Sequence, residues 1–193
     1  RFVYFLIGNY STKAAAGYFG LAQRFVNVPN SLAAGALRPV YFQRFASLGF
    51  KDVEREVYFL LFLITAAVIP VWMVFVLHAD DLFAFAFGEA WRSAGFYGVI
   101  LSIPAIPLLI GNWLDRGYDA LGKQRVAFWL EMMFSGLSLG ALCVCLYGFG
   151  NLLYGIVAQV VVLTLYYWVW LWALLKLGDY SMILFAQLVG LYF

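Results

Sequence analysis

The sequence predicts an all-α fold, a polytopic transmembrane helical bundle, on three observations. Apolar residues make up 65% of the 193-residue chain and charged residues only 11%, less than half of the roughly 25% found in soluble domains. Mean hydropathy is +0.89, so much of the surface must face lipid. Apolar runs recur at the length of about 20 residues that a helix needs to cross a bilayer. They lack the apolar–polar alternation of a membrane barrel strand, as "VYFLLFLITAAVIPVWMVFVL" shows.

Spans are expected over about 14–40, 57–77, 93–114, 126–147 and 152–175, with partial spans at 1–8 and 181–193. The connections are short and polar, so 1–193 reads as one transmembrane domain. Both ends fall in apolar segments, which makes the chain an expected fragment of a longer protein. The second span is apolar throughout. The third contains Ser102, Pro104, Pro107, Gly111 and Asn112 and is easily bent, so Pro104 and Pro107 are candidate hinges. In the fourth, Gly136 and Gly140 repeat the small-residue spacing that lets helices approach closely, as do Gly95 and Gly98 before it. The fifth carries "YYWVWLW", read as a lipid face and interfacial belt.

Short cytoplasmic loops retain Lys and Arg. Arg38, Arg44, Lys51 and Arg55 flank the first connection, Arg116, Lys123 and Arg125 the third, and Lys176 the fifth. The second offers Arg92 against Asp80, Asp81 and Glu89, and the fourth has no charge. The odd connections are therefore expected inside, with Lys13 the exception outside. Trp72, Trp91, Trp113, Trp129 and Tyr147 fall near expected span ends, where interfacial aromatics collect.

The first span is the unusual one. It includes Gln23, Arg24, Asn27, Pro29 and Asn30. At 100° per residue, Gly20, Arg24, Asn27, Ser31, Gly35 and Arg38 share one narrow face. An Arg at mid-helix costs about 2.5–3.5 kcal/mol on insertion scales, against about 0.3–0.6 recovered per large aliphatic residue. Such a helix tolerates lipid only if its stripe faces protein or a watery cavity. The stripe is thus a functional candidate, although Arg24 could instead pair with an acid on a neighbouring helix. Pro29 adds a possible kink.

At these residues the chain resembles the polysaccharide flippases, the O-antigen and lipid-linked-oligosaccharide exporters of the MOP superfamily. "GYFGLAQRFVNVPNSLAAGALRPVYFQRFASL" resembles the segment in which Gly-Tyr and Ala-x-Arg precede a mid-helix Pro. "LFAFAFGEAWRSAGFYGVILSIPA" resembles an outer-loop pattern of Phe-Gly, Trp and a small-residue helix, and "ALGKQRVAFWLEM" a short Gly-Lys-Gln loop. The similarity runs over about 17–175.

The resemblance implies a two-lobe alternating-access transporter, of which this chain is most of one six-helix lobe. The missing N-terminal lobe of the same chain would be its partner. It implies a bacterial inner (plasma) membrane location and transfer of a polyprenyl-pyrophosphate-linked oligosaccharide from the cytoplasmic to the outer leaflet. A guanidinium suits phosphate oxygens through forked hydrogen bonds, so Arg24 is the expected headgroup contact. Gln23, Asn27, Asn30 and Ser31 complete the expected substrate-binding set. Partners are the lipid-linked oligosaccharide and membrane lipids, with no nucleic acid and no cofactor.

Glu131 could couple a proton or Na+, or counter Arg24; an acid so near a helix end also reaches headgroups readily. Cys143 and Cys145 suggest neither a disulfide nor a metal site. His78 reads as an interfacial residue. Asn9-Tyr10-Ser11 matches a glycosylation sequon, a pattern common by chance. The sequence contains no phosphate loop or nucleophile elbow, and its connections are too short for the catalytic loop of a membrane polymerase or ligase, so no enzyme is expected. A multidrug or ion-coupled antiporter of the same superfamily remains the closer rival.

Overall fold

The computed structural model describes residues 13–192, which are helical and contain no strand. The partial span 1–8 and the sequon lie outside these residues. Helix α1 is Lys13–Leu48, α2 Glu54–Phe87, α3 Ala94–Gly111, α4 the short Gly117–Ala120, α5 Gln124–Phe149, α6 Leu152–Leu177 and α7 Met182–Tyr192. Three 3-10 turns, Lys51–Val53, Glu89–Trp91 and Asn112–Leu114, punctuate the connections.

Each of the five long helices contains an expected span and overruns it, except α3, which gives its last residues to the Asn112–Leu114 turn. Continuous apolar sequence carries no stop signal, whereas polar connections do. The α5–α6 turn shows this locally: Gly150 takes a left-handed conformation at φ 62°, which glycine adopts without a Cβ clash. Asn151 then caps α6, its side chain accepting from the amides of Leu153 and Tyr154, two donors the helix leaves unpaired.

Among the described residues, four helices are long and apolar enough to cross a membrane: α2 with its leading turn, α3 extended to Ala120, α5 and α6. The protein is an all-α, multi-pass membrane bundle. The 36-residue α1 is not among the four. It is about 54 Å long by helical rise, ample for a hydrocarbon core of about 30 Å, but its charges and amides reduce its apolar character.

In α2 the helix does not end at Leu77. It continues to Phe87 across a break at His78 (φ −123°, ψ 15°). His78 is therefore the bend of a long helix, with no proline beside it. By contrast α1 stays helical through Pro29 and Pro39, and α3 through Pro104 and Pro107; none of the candidate proline hinges interrupts its helix here.

Packing places the odd connections at one end. Phe50 abuts Gly117 and Gly178, the Tyr180 hydroxyl donates to the Phe50 carbonyl at 2.7 Å, and the Tyr58 hydroxyl to that of Ser181 at 2.6 Å. At the opposite end the Tyr18 and Trp91 rings meet at 5.7 Å, and Phe19, Ala94 and Ile156 share a cluster. The loops rich in Lys and Arg thus gather at one end, hereafter the basic end. Beyond the other end, Arg92 donates to Glu89 at 2.7 Å, and this hydrogen bond holds the Glu89 carboxyl below its ordinary range.

The main core lies at the basic end, where Trp113, Leu114, Leu61, Leu171 and Tyr118 are buried. Trp113 is fully buried and donates to the Ile110 carbonyl at 2.7 Å, so it is a core residue and not an interfacial anchor. Trp72 likewise points inward, donating to Ser102 Oγ at 2.6 Å. Trp129 and Tyr147 are exposed.

The two glycine pairs behave differently. A Cβ on Gly95 would lie 2.5 Å from the Asp80 nitrogen, and one on Gly98 would crowd the Phe75 and Phe83 rings, so both permit α2 and α3 to close on each other. Gly136 and Gly140 face open space and mediate no helix contact among the described residues. Cys143 and Cys145 are free thiols.

Candidate functional site: the polar flank of α1 and the adjoining cleft

Helix α1 packs along α3, and α5 pairs with α6, while α3 also packs on α6. No comparably extended packing joins α1 to α5 among the described residues. A recess lies between α3, α5 and α6, and α1 reaches its edge through Asn30 and Arg38, which contact the lining residues Asn112 and Asp115.

The stripe divides into a free part and a tied part. Ala15, Phe19, Ala22, Ala34, Tyr41 and Phe45 form the buried face of α1. The stripe runs beside that face, because the spacing of Gly20, Arg24, Ser31 and Gly35 rotates them away from it. Arg24 and Ser31 are exposed. Arg24 makes no hydrogen bond or ion pair with the described residues, so its charge is available to a ligand. The Ser31 hydroxyl donates to the Val28 carbonyl at 2.8 Å, and the Asn27 amide to the Gln23 carbonyl at 2.8 Å. Both go to backbone carbonyls of α1 itself.

Nearer the basic end the stripe is tied to α3. Asn112 Nδ2 donates to Asn30 Oδ1 at 3.2 Å, and Arg38 donates to Asn112 Oδ1 at 3.4 Å and to its carbonyl at 3.5 Å. Arg38 Nε and Asp115 Oδ1 lie 2.8 Å apart, with side chains 34% and 31% exposed. Both atoms are sealed from solvent without hydrogen-bond alignment, so this is a charge contact more than a directional bond. Asn30, expected as a substrate ligand, is half-buried and accepts from Asn112.

Arg38, Asn112 and Asp115 form the part of the site that sequence reasoning did not select. The stripe included Arg38, and Asn112 stood among the residues of a bendable span; their pairing depends on positions 74 residues apart, which no local pattern reveals.

Beyond Asn112 and Asp115 opens a cleft of about 370 Å³. Pro107, Leu108 and Gly111 line it from α3, Ala127 and Glu131 from α5, and Tyr166, Tyr167 and Trp170 from α6. Glu131 is exposed, and neither it nor Arg24 takes part in an ion pair among the described residues. The pairing of Glu131 with Arg24 is therefore absent from this arrangement. Tyr166, Tyr167 and Trp170 belong to the run read as a lipid face; here they are half-buried and line this cleft. No group of three His, Cys, Asp or Glu residues suited to a metal ion occurs among the described residues.

The opposite flank of α1 is apolar. Phe25, Val26 and Pro29 line a crevice of about 590 Å³ with residues of α2 and α3. Phe25 stacks on Phe75 with centroids 6.1 Å apart and meets Phe83 at 5.1 Å.

Residues 1–95 match the model of a family described as polysaccharide biosynthesis protein. No curated protein and no solved structure matches the chain. The matched stretch contains all of α1 and α2 and hence the polar stripe.

Proposed function

We propose that the chain is part of a lipid-linked oligosaccharide exporter and that the polar flank of α1 borders its translocation route. The observation that carries this reading is Arg24, a permanent cation in a long membrane-bundle helix, exposed and without a partner among the described residues. A charge so placed is unfavourable in lipid and becomes favourable when an anion comes to it. The anionic group that must cross the membrane during polysaccharide assembly is the pyrophosphate of the polyprenyl carrier, for which guanidinium geometry is suited.

On this reading a second helical lobe of the same chain closes the far side of the route, and the basic end faces the cytoplasm of a bacterial inner membrane. The Arg38–Asp115–Asn112 group ties α1 to α3 at that end. Movement of a substrate past it requires either that the tie remain as a fixed wall or that it open as the lobes rock.

Replacement of Arg24 tests the proposal. Arg24→Ala is expected to abolish surface glycan export while leaving membrane abundance unchanged, and Arg24→Lys to retain part of the activity, because charge remains but the planar fork is lost. Normal export in Arg24→Ala at normal abundance would refute it. An ion-coupled antiporter is the second reading, favoured by the unpaired Glu131 carboxylate; it predicts that export of a cationic drug, and not of glycan, depends on residue 131.

A further inference from the structure

We propose that the cleft between α3, α5 and α6 is a saccharide subsite, in which the sugar portion of the carrier-linked substrate rests while its pyrophosphate lies along α1. The inference rests on the exporter reading above and adds to it a place for the glycan. It concerns residues beyond the stretch matched by the family model, which ends at 95.

The cleft's size, about 370 Å³, falls within the range of small-molecule sites, roughly 300–1,000 Å³. Its chemistry is mixed in the way a sugar requires. A pyranose presents hydroxyls that both donate and accept, and a C–H face that packs against aromatic rings. Tyr166, Tyr167 and Trp170 supply aromatic surface on one wall, and Glu131 an acceptor on the other.

The polar groups also divide into engaged and available sets. Asn112 is held by Asn30 and Arg38, and Asp115 by Arg38. The Glu131 carboxylate and the hydroxyls of Tyr166 and Tyr167 make no hydrogen bond with the described residues. Polar groups in a membrane bundle are costly when unpaired. Two hydroxyl donors and a carboxylate acceptor facing one recess match a polyhydroxylated ligand.

A cation fits the same recess less well. Asp115 has its charge offset by Arg38 at 2.8 Å, which leaves Glu131 as the one unpaired carboxylate among the lining residues. Hard cations favour several oxygen ligands at short range, and the aromatic wall would contribute few. An acyl chain fits less well still, because it would leave Glu131 and both hydroxyls unpaired.

The test compares two probes on the full-length protein in lipid nanodiscs: lipid-linked oligosaccharide extracted from the producing cells, and sugar-free undecaprenyl pyrophosphate. Glu131→Ala is expected to weaken binding of the sugar-bearing probe about tenfold, the effect of losing charge-assisted hydrogen bonds, and to leave the sugar-free probe unchanged. Tyr166→Phe, which removes one hydroxyl and keeps the ring, should give a smaller loss on the same probe only. Glu131→Gln, retaining a neutral acceptor, should fall between wild type and Glu131→Ala.

Arg24→Ala should weaken both probes. Cleft variants that affect both probes equally, or neither, overturn the subsite and leave the exporter reading intact. Glu131→Gln as damaging as Glu131→Ala, together with loss of a Na+ dependence seen in wild type, would replace the saccharide by a cation. Failure of the wild-type protein to bind either probe would refute the exporter reading itself, and the subsite with it.

Discussion

On one flank of α1, Phe25 meets Phe75, Phe83 and Phe87 at centroid distances of 5.1–6.2 Å; one residue earlier, Arg24 is exposed and pairs with nothing described. The apolar flank finds partners within the chain, the rings of α2, beside an apolar crevice of about 590 Å³. The polar flank does not. Ring packing accounts for Phe25 and leaves the cation of Arg24 without a partner among the described residues. That contrast separates a flank packed within the bundle from one that leaves a charge open to a partner.

The largest expected effect comes from breaking the packed side. Gly95→Val would drive side-chain atoms into the Asp80 and Ala79 backbone, which cannot yield as a flexible side chain can. Overpacking of this kind costs about 3 kcal/mol or more, so the variant should be lost from membranes, as immunoblotting of fractions would show. Next in size, Phe83→Ala removes a fully buried ring against which Phe25 rests. A loss of about 3 kcal/mol is expected, read as a lowered melting temperature in detergent. Retained melting behaviour would show that the aromatic junction contributes little.

Much of this contrast was legible in the sequence, and some was not. The five long helices were, because uninterrupted apolar runs of about twenty residues have few alternatives in a bilayer. The polar stripe was legible from the 100° periodicity alone, as was the oddity of Arg24. The bend at His78 was not: no proline marks it, and the close approach of Gly95 to Ala79 and Asp80 beside it is a tertiary fact. Nor was the burial of Trp113 or the inward turn of the half-buried Trp72, since aromatic residues near an expected span end suit either a core or an interface. Tyr166, Tyr167 and Trp170 looked like lipid-facing residues because the run around them is apolar on all sides; only the packing of α6 on α3 and α5 shows which of its faces is internal. The bond between Asn30 and Asn112 was not legible either, because the two lie 82 residues apart.

A smaller effect sharpens the boundary between the tied and free parts of the stripe. Arg38 and Asp115 are each about one-third exposed, so solvent screens much of their attraction and Arg38→Ala should cost about 1 kcal/mol. A double-mutant cycle with Asp115→Ala should recover a coupling of that order. A coupling near zero would mean that α1 is held to α3 by its apolar face alone.

The smallest effect belongs to the exposed end opposite the basic one. Hydrogen bonding from Arg92 lowers the Glu89 pKa, so this pair favours the folded state above the ordinary carboxylate pKa and loses that contribution as pH falls through the lowered value. Because the pair is exposed, the fall in melting temperature between pH 7 and pH 3 should be nearly the same with Glu89→Gln as without it.

The central claim is that Arg24 acts through its charge on a ligand, and chemical restoration of that charge tests it most directly. In a full-length background with Cys143 and Cys145 replaced by serine, Arg24→Cys should insert normally and fail to export glycan. Treatment with aminoethyl methanethiosulfonate, which adds a cation at the thiol, should restore part of the export, whereas the uncharged methyl reagent should not. Full export by untreated Arg24→Cys, or equal recovery with both reagents, would contradict the account.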